Sequence, residues 1–350
     1  MKGCRAITER DLAPYLERYA DDSLVSRVKA LYDQQKDVWP EFRRGHEAML
    51  RAERRGIELD KWRVICQHTP HRIQSVSASV DPVSVRKRSC FLCPESLHPE
   101  ERGITYGNGY LILCNISPIF DQHVVISHQH HRPQAIRTSF ADAMTLAHEL
   151  SPHFSLIYNG PRCGASAPDH LHFQAFPGQN LPLQNQVRRD DHLNVRATVR
   201  HGDDILITAL KDSSRRFLTF RSRNRTALSF WFFETLAALE NEQDGGDHEP
   251  MINFVITCID SQWELILFPR AKHRPDCFHG TGDSRLLISP GAIDMAGVVV
   301  VPRKTDYERM SVGILRGIYQ EVTIREDRFS RVIGKLMQGN GETGPLRLSP

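Results

Sequence analysis

The segment Asp169-His170-Leu171-His172-Phe173-Gln174 constrains the fold more than any other stretch of the chain. Polar and apolar residues alternate with a period of two, so on a strand both imidazoles and the amide share one side. Leu171 and Phe173 then face the other side, toward a core. The run leaves a turn, YNGPRCGASAP at 158–168, whose small residues let backbone N–H groups approach an anion, with Asn159 and Ser166 as further donors. A lone histidine on a strand is usually a hydrogen-bonded core residue. Three polar groups aligned behind such a turn point to chemistry instead. An imidazole nitrogen is a good nucleophile toward phosphorus, and an amide donates to a phosphoryl oxygen without titrating.

The cysteines add a second constellation. Of the 8 in the chain, only Cys90 and Cys93 stand close together. Pro94 follows at once, which argues against the helix a redox pair requires. As half of a zinc site the pair needs two more ligands; one of His128, His130 and His131 offers the first and His170 the second. Four protein ligands leave no open position for water, so the metal would be structural. Histidine is abundant, 17 of 350 residues, yet most, such as His46, His98, His201 and His248, stand outside any constellation.

Composition excludes other classes. The 45 Lys+Arg against 42 Asp+Glu leave a formal charge of +3, without the basic surplus of a nucleic-acid binder. The opening MKGCRAITERDLAPYLERYADD has no apolar signal region, and the apolar stretch 293–301 is too short for a membrane span. A cytoplasmic protein with no membrane and no nucleic-acid partner is expected. The length suggests about two domains. Residues 8–55 read as amphipathic helix, with Leu24, Val28, Leu31 and Tyr32 on one face. From Trp62 strand-like runs take over, including 72–80, 109–116, 123–127 and 153–160, with a helix over 138–151 that Ser139 would cap. Strands are expected again at 203–210, 215–222, 251–260, 262–270, 286–290 and 295–303, and helices at 226–242 and 306–322. Residues 242–250 read as a weak linker or loop. The decapeptide 124–133 echoes 266–275, both ending in His-Arg-Pro, which hints at a duplicated half-fold. Arg188-Arg189, Arg270, Lys272, Arg274 and Arg303-Lys304 are each expected as solvated surface charges, although some could meet substrate phosphates if the two halves face each other.

The blocks CNISPIFDQHVVIS and NGPRCGASAPDHLHFQ resemble the histidine-triad superfamily, and in particular the branch in which glutamine replaces the third histidine. Galactose-1-phosphate uridylyltransferase, diadenosine tetraphosphate phosphorylase and the GDP-hexose phosphorylases belong to it; the last resemble this chain most, over about residues 60–335. The resemblance implies an α+β, HIT-like fold of two related lobes, each an antiparallel sheet with packed helices. It divides the chain into a helical leader (1–58), a catalytic lobe (59–200), a degenerate second lobe (201–337) and a flexible tail (338–350). It makes His172 the nucleophile that becomes covalently nucleotidylated, and Gln174 the residue that hydrogen-bonds the transferred phosphoryl group. Asn115 would lie near the nucleoside, and Asn159, Gly164 and Ser166 would cradle phosphate. Cys90, Cys93 and His170 would hold zinc with one further histidine: spacing from His123 and the His-Arg-Pro echo favour His131, whereas spacing from Ile126 favours His130. The second half lacks an H-x-H motif and so lacks a nucleophile. The implied activity is that of a nucleotidyl-transferring phosphorylase acting on a nucleoside diphosphate hexose, GDP-hexose-like, with inorganic phosphate as acceptor. The alternatives are a dinucleoside tetraphosphate phosphorylase or ATP adenylyltransferase, and a nucleotide-binding protein that has lost catalysis. Whether the chain forms a homodimer is left open.

Overall fold

Among the described residues the β-branched and aromatic runs pair into two sheets. The computed structural model describes residues 5–107, 109–189, 195–201, 204–212, 214–243 and 248–338. The tail expected at 338–350 thus lies outside the described residues beyond Gln338, as do residues 244–247 of the linker. The strands are β1 Arg54–Leu59, β2 Trp62–His68, β3 Gly103–Tyr106, β4 Tyr110–Cys114, β5 Val124–His128, β6 Phe154–Asn159, β7 His172–Pro177, β8 Val195–His201, β9 Ile205–Lys211, β10 Arg216–Ser222, β11 Ile252–Ile259, β12 Gln262–Pro269 and β13 Val298–Val301.

Ten of them form one antiparallel sheet in the order β3-β4-β5-β7-β6-β11-β12-β10-β9-β8. The order β3-β4-β5-β7-β6 recurs as β8-β9-β10-β12-β11, each set with one long helix before its fourth strand in the chain, Phe140–Glu149 and Arg225–Glu240. The two related lobes of the expected fold are therefore present, fused edge to edge rather than apart. β6 and β11 pair at the seam, from Leu156 opposite Ile256 to Asn159 opposite Asn253. Phe140 and Phe232, from the two helices, stack with ring centroids 3.7 Å apart. The duplication is not the one hinted at by the sequence echo. That echo matches β5 with β12, whereas the repeated order places β12 on β7 and β5 on β10.

The sheet buries both faces. Leu171, Phe173 and Ala175 point into a core shared with the two long helices and with the leader helix Leu24–Val38, whose Val28, Leu31 and Tyr32 are buried as their spacing requires. Phe176, on the opposite face of β7, belongs to a second core under the small sheet β1-β2-β13. The last residues of the expected leader are strand rather than helix, since Arg54–Leu59 pairs with β2, which lies parallel to β13. His172 and Gln174 share the Phe176 side of β7, with Ser127 opposite His172 and both Val125 and Ile157 opposite Gln174.

Two expected strands are absent. Residues 72–80 contain a short helix, Ile73–Ser77, because Pro70 withholds the N–H a continuing strand would need, and only Val76 of that helix is buried. Residues 286–290 form no strand: the Ile288 N–H turns back to the Leu286 carbonyl at 3.0 Å, and the Leu287 N–H donates to Asp306 Oδ2 at 2.8 Å. Ser139 precedes its helix but makes no side-chain cap; its hydroxyl accepts from Arg132 instead. Among the described residues no helix is long and apolar enough to cross a membrane.

Candidate active site

His172 is 4% exposed and its ring has one fixed orientation. Its Nδ1 lies 2.8 Å from the carbonyl oxygen of His170. A carbonyl only accepts, so Nδ1 carries the hydrogen and Nε2 keeps its lone pair. Burial pulls the imidazole down to about 4, so the neutral, nucleophilic form prevails near neutrality. Gln134, itself buried, holds the strand in place: its Oε1 accepts from the His172 N–H at 2.8 Å, while its Nε2 donates to the carbonyls of His172 and Asn159 at 3.0 and 2.9 Å.

Gln174 is oriented in turn by a residue for which the sequence suggested no role, His123. The Ile119 N–H donates to His123 Nδ1 at 3.2 Å, which leaves the hydrogen on Nε2. That Nε2–H donates to Gln174 Oε1 at 2.9 Å. The Gln174 amide nitrogen is thereby turned away from His123, presenting N–H groups. His123 is fully buried, and burial with the nearby Arg72 charge pulls it down to about 3, so it remains a neutral, single-tautomer donor. The signal lay in H-V-V-I-S, where His123 starts a strand paired with β7, but pattern alone did not separate it from other histidines.

His172, Gln174, Asn115, Ser166, Arg72 and Arg88 line a cleft of about 500 Å³. Asn115 is held in a turn, its Oδ1 accepting from the Ser117 N–H at 3.0 Å. Asn159, Gly164 and Ser166 line a small cavity beside this cleft, and two of them also make contacts across the seam. Asn159 Oδ1 accepts from Asn253 Nδ2 at 3.0 Å and from the Ala292 N–H at 2.8 Å, tying the lobes together. The Gly164 N–H donates to His273 Nδ1 at 3.1 Å. Gly164 has φ +98°, and a Cβ there would come within 2.9 Å of Asn159 Oδ1 and Gly291 Cα, so only glycine fits this crossing. Arg270, expected on the surface, is fully buried behind Asn159. It donates to Asn253 Oδ1 and to the carbonyls of Pro290, Val322, Lys272 and His273. Arg274 is also drawn inward, to Ser289 Oγ and the carbonyls of Val76 and Ala78.

Cys90, Cys93, His131 and His170 converge, with one donor atom from each lying within 4.8 Å of the others. His170 Nε2 donates to the His128 carbonyl at 2.6 Å, so its Nδ1 turns a lone pair to Cys90 Sγ at 3.2 Å and Cys93 Sγ at 3.5 Å. His131 Nδ1 lies 3.3 Å from Cys93 Sγ, with Asp169 behind its Nε2 at 3.6 Å. Two sulfurs and two imidazoles at tetrahedral-edge separations form a donor set suited to zinc. His130 is outside the cluster and offers its carbonyl to His128 Nδ1.

A domain family of unknown function, DUF4922, matches residues 31–177, and the GDPGP1-like C-terminal domain family matches residues 192–341. GDP-L-galactose phosphorylase 2 of Arabidopsis thaliana is 29% identical over 231 residues, 63% of this chain and 50% of that protein. The chain thus aligns with about half the length of this curated relative. In fold it is similar to yeast Ap4A phosphorylase Apa2 in complex with AMP, at TM-score 0.53 and 14% identity over 84% of this chain and 96% of the other. A second Apa2 structure gives TM-score 0.54 at 13% identity, over 81% and 97% of the two chains. The chain thus shares the fold of Ap4A phosphorylase Apa2, with its antiparallel sheet and packed helices. Its second half matches the GDPGP1-like C-terminal domain, and in sequence the chain is similar to GDP-L-galactose phosphorylase.

Proposed function

We propose that this protein is a nucleotidyl-transferring phosphorylase that splits a nucleoside diphosphate hexose, of the GDP-hexose kind, with inorganic phosphate. The observation that carries the reading is the pair of fixed tautomers. His172 offers a bare Nε2 and Gln174 an oriented amide N–H into one cleft. In the first step the Nε2 lone pair attacks the α-phosphorus. The bond from phosphorus to the bridging oxygen breaks, and its electron pair leaves on the hexose phosphate. In the second step a phosphate oxygen attacks the same phosphorus, and the N–P pair returns to Nε2, releasing a nucleoside diphosphate. Gln174 donates to the phosphoryl oxygen as negative charge builds on it. The His170 carbonyl stabilises the positive charge His172 acquires when phosphorylated.

Zinc held by Cys90, Cys93, His131 and His170 would have a structural role, locking His170, whose backbone in turn orients His172. The first lobe is the armed one. β12, at the position of β7 in the second lobe, contains no histidine. The fold similarity to Apa2 supports one other reading, a dinucleoside tetraphosphate as donor. Exposure of the protein to radiolabelled nucleoside diphosphate sugars and dinucleotides, followed by acid-labile phosphoramidate mapping, tests both. Label on His172 from GDP-hexoses supports the proposal. Label from dinucleotides alone selects the second reading, and no label from any donor overturns both.

A further inference from the structure

A small cavity of about 70 Å³ lies between the lobes, beside the His172 cleft and sharing Arg72, Ser166 and Gln174 with it. Such a volume holds several waters, or one phosphoryl group in their place. Two buried donors on its wall have no partner, Arg72 Nε and His273 Nε2. They come from different lobes. Arg72 is held by the Ser117 carbonyl and lies close enough to His123 to lower its basicity. His273 accepts the Gly164 N–H on Nδ1, so its Nε2 bears the hydrogen. Leaving such N–H groups buried and unpaired is unfavourable, and native structures resolve most of them with a partner. Arg274 adds a second positive charge to the wall. The one carboxylate there, Asp294, has its oxygens occupied by the N–H groups of Gly291 and Val300.

We infer that this cavity is the subsite for the phosphoryl group that never becomes attached to His172, the departing β-phosphoryl first and then the incoming inorganic phosphate, and that His273 of the unarmed lobe is the residue there that recognises it. Arg72 Nε–H donates from the opposite wall, between this group and the α-phosphoryl held at Gln174. The second lobe then has a catalytic task although it has no nucleophile, because it selects phosphate over water as acceptor. The inference rests on the phosphorylase reading.

The test uses isolated, radiolabelled nucleotidyl-enzyme and follows its discharge by increasing inorganic phosphate and, separately, by water alone. His273→Phe is expected to raise the phosphate concentration for half-maximal discharge about ten- to a hundredfold, the effect of one lost hydrogen bond to a charged group. Discharge by water is expected to stay within about twofold, since water needs no anion subsite. His273→Gln, whose Oε1 can take the Gly164 N–H while Nε2 donates, is expected to restore most of the phosphate affinity. Equilibrium dialysis of labelled inorganic phosphate against the unmodified enzymes reads the same subsite without turnover. Unchanged phosphate dependence in His273→Phe, or equal loss of discharge by phosphate and by water, overturns the subsite. A wild-type protein that binds phosphate through His273 but never forms nucleotidyl-histidine would instead refute the phosphorylase reading and leave the anion site standing.

Discussion

His123 gives a sharp test of the site, because its Nε2 lies 2.9 Å from Gln174 Oε1 and only at the longer 3.4 Å from Asn115 Nδ2. His123→Phe preserves a ring at a fully buried position while removing both nitrogens. The substitution leaves the Ile119 N–H and the Gln174 Oε1 without their partners. A buried unsatisfied group costs about 1–3 kcal/mol, and since only the Ile119 N–H is buried while Gln174 is half-buried, a stability loss of about 1–3 kcal/mol is expected. The catalytic loss has a ceiling. An amide donor of this type contributes about 10²–10³ in rate, and misorienting it can remove no more than deleting it. Nucleotidylation of His172, followed by rapid quench with labelled donor, should therefore slow by about 10- to 100-fold in His123→Phe and more in Gln174→Ala. The double variant should be no slower than Gln174→Ala, since one residue works through the other. A wild-type rate in His123→Phe, or effects that multiply in the double variant, would refute the orientation argument.

Other outcomes follow from the same geometry. Elemental analysis should find about one zinc per chain, lost in Cys90→Ser and His131→Ala but kept in His130→Ala, given the four-ligand geometry; metal retained in His131→Ala would remove the site. Asp294 is buried and its carboxyl is raised to about 6, above its unfolded value near 3.8, so its stabilising contribution is complete below about pH 4 and lost as pH rises through about 6. Between about pH 5 and about pH 8 the wild type should lose about 1 kcal/mol relative to Asp294→Asn in urea titrations, and a pH-independent difference would contradict the shift. Arg270→Met strands five acceptors inside the second lobe and should lower stability by about 3–5 kcal/mol in thermal melts, whereas a loss below about 1 kcal/mol would mean that water replaces the guanidinium.

Much of the site could be read in the chain because β7 writes its chemistry as a two-residue period. Alternation placed His172 and Gln174 on one face, and the same argument put Leu171 and Phe173 in the core, where they lie. The cysteine pair was equally local. What stayed hidden depended on partners far apart in the chain. His130 and His131 are neighbours, and only the path of the chain after β5 decides which ring meets Cys93. Arg270 carries a surface signature, yet five carbonyl-type acceptors, all from the second half of the chain and up to 52 residues away, solvate it in place of water. Gly164 reads as part of a small-residue turn, and nothing local shows that its N–H donates to His273, 109 residues away. The duplication was obscured too, because it resides in strand order while side chains have diverged.

The seam between β6 and β11 has a consequence for how this chain can be divided. Every residue of β6, Phe154 to Asn159, is buried, and β11 is buried over all but its last residue. Separating the lobes would expose two long, apolar strand edges, each a template for pairing with another chain. A fragment ending before β11 would present β6 to solvent, and a second copy of itself is a fitting cover for it, since β6 already meets a strand of the same rank across a near two-fold arrangement. The covalent link between the lobes thus keeps an aggregation-prone edge permanently occupied, and it does so with a partner that no longer needs a nucleophile of its own.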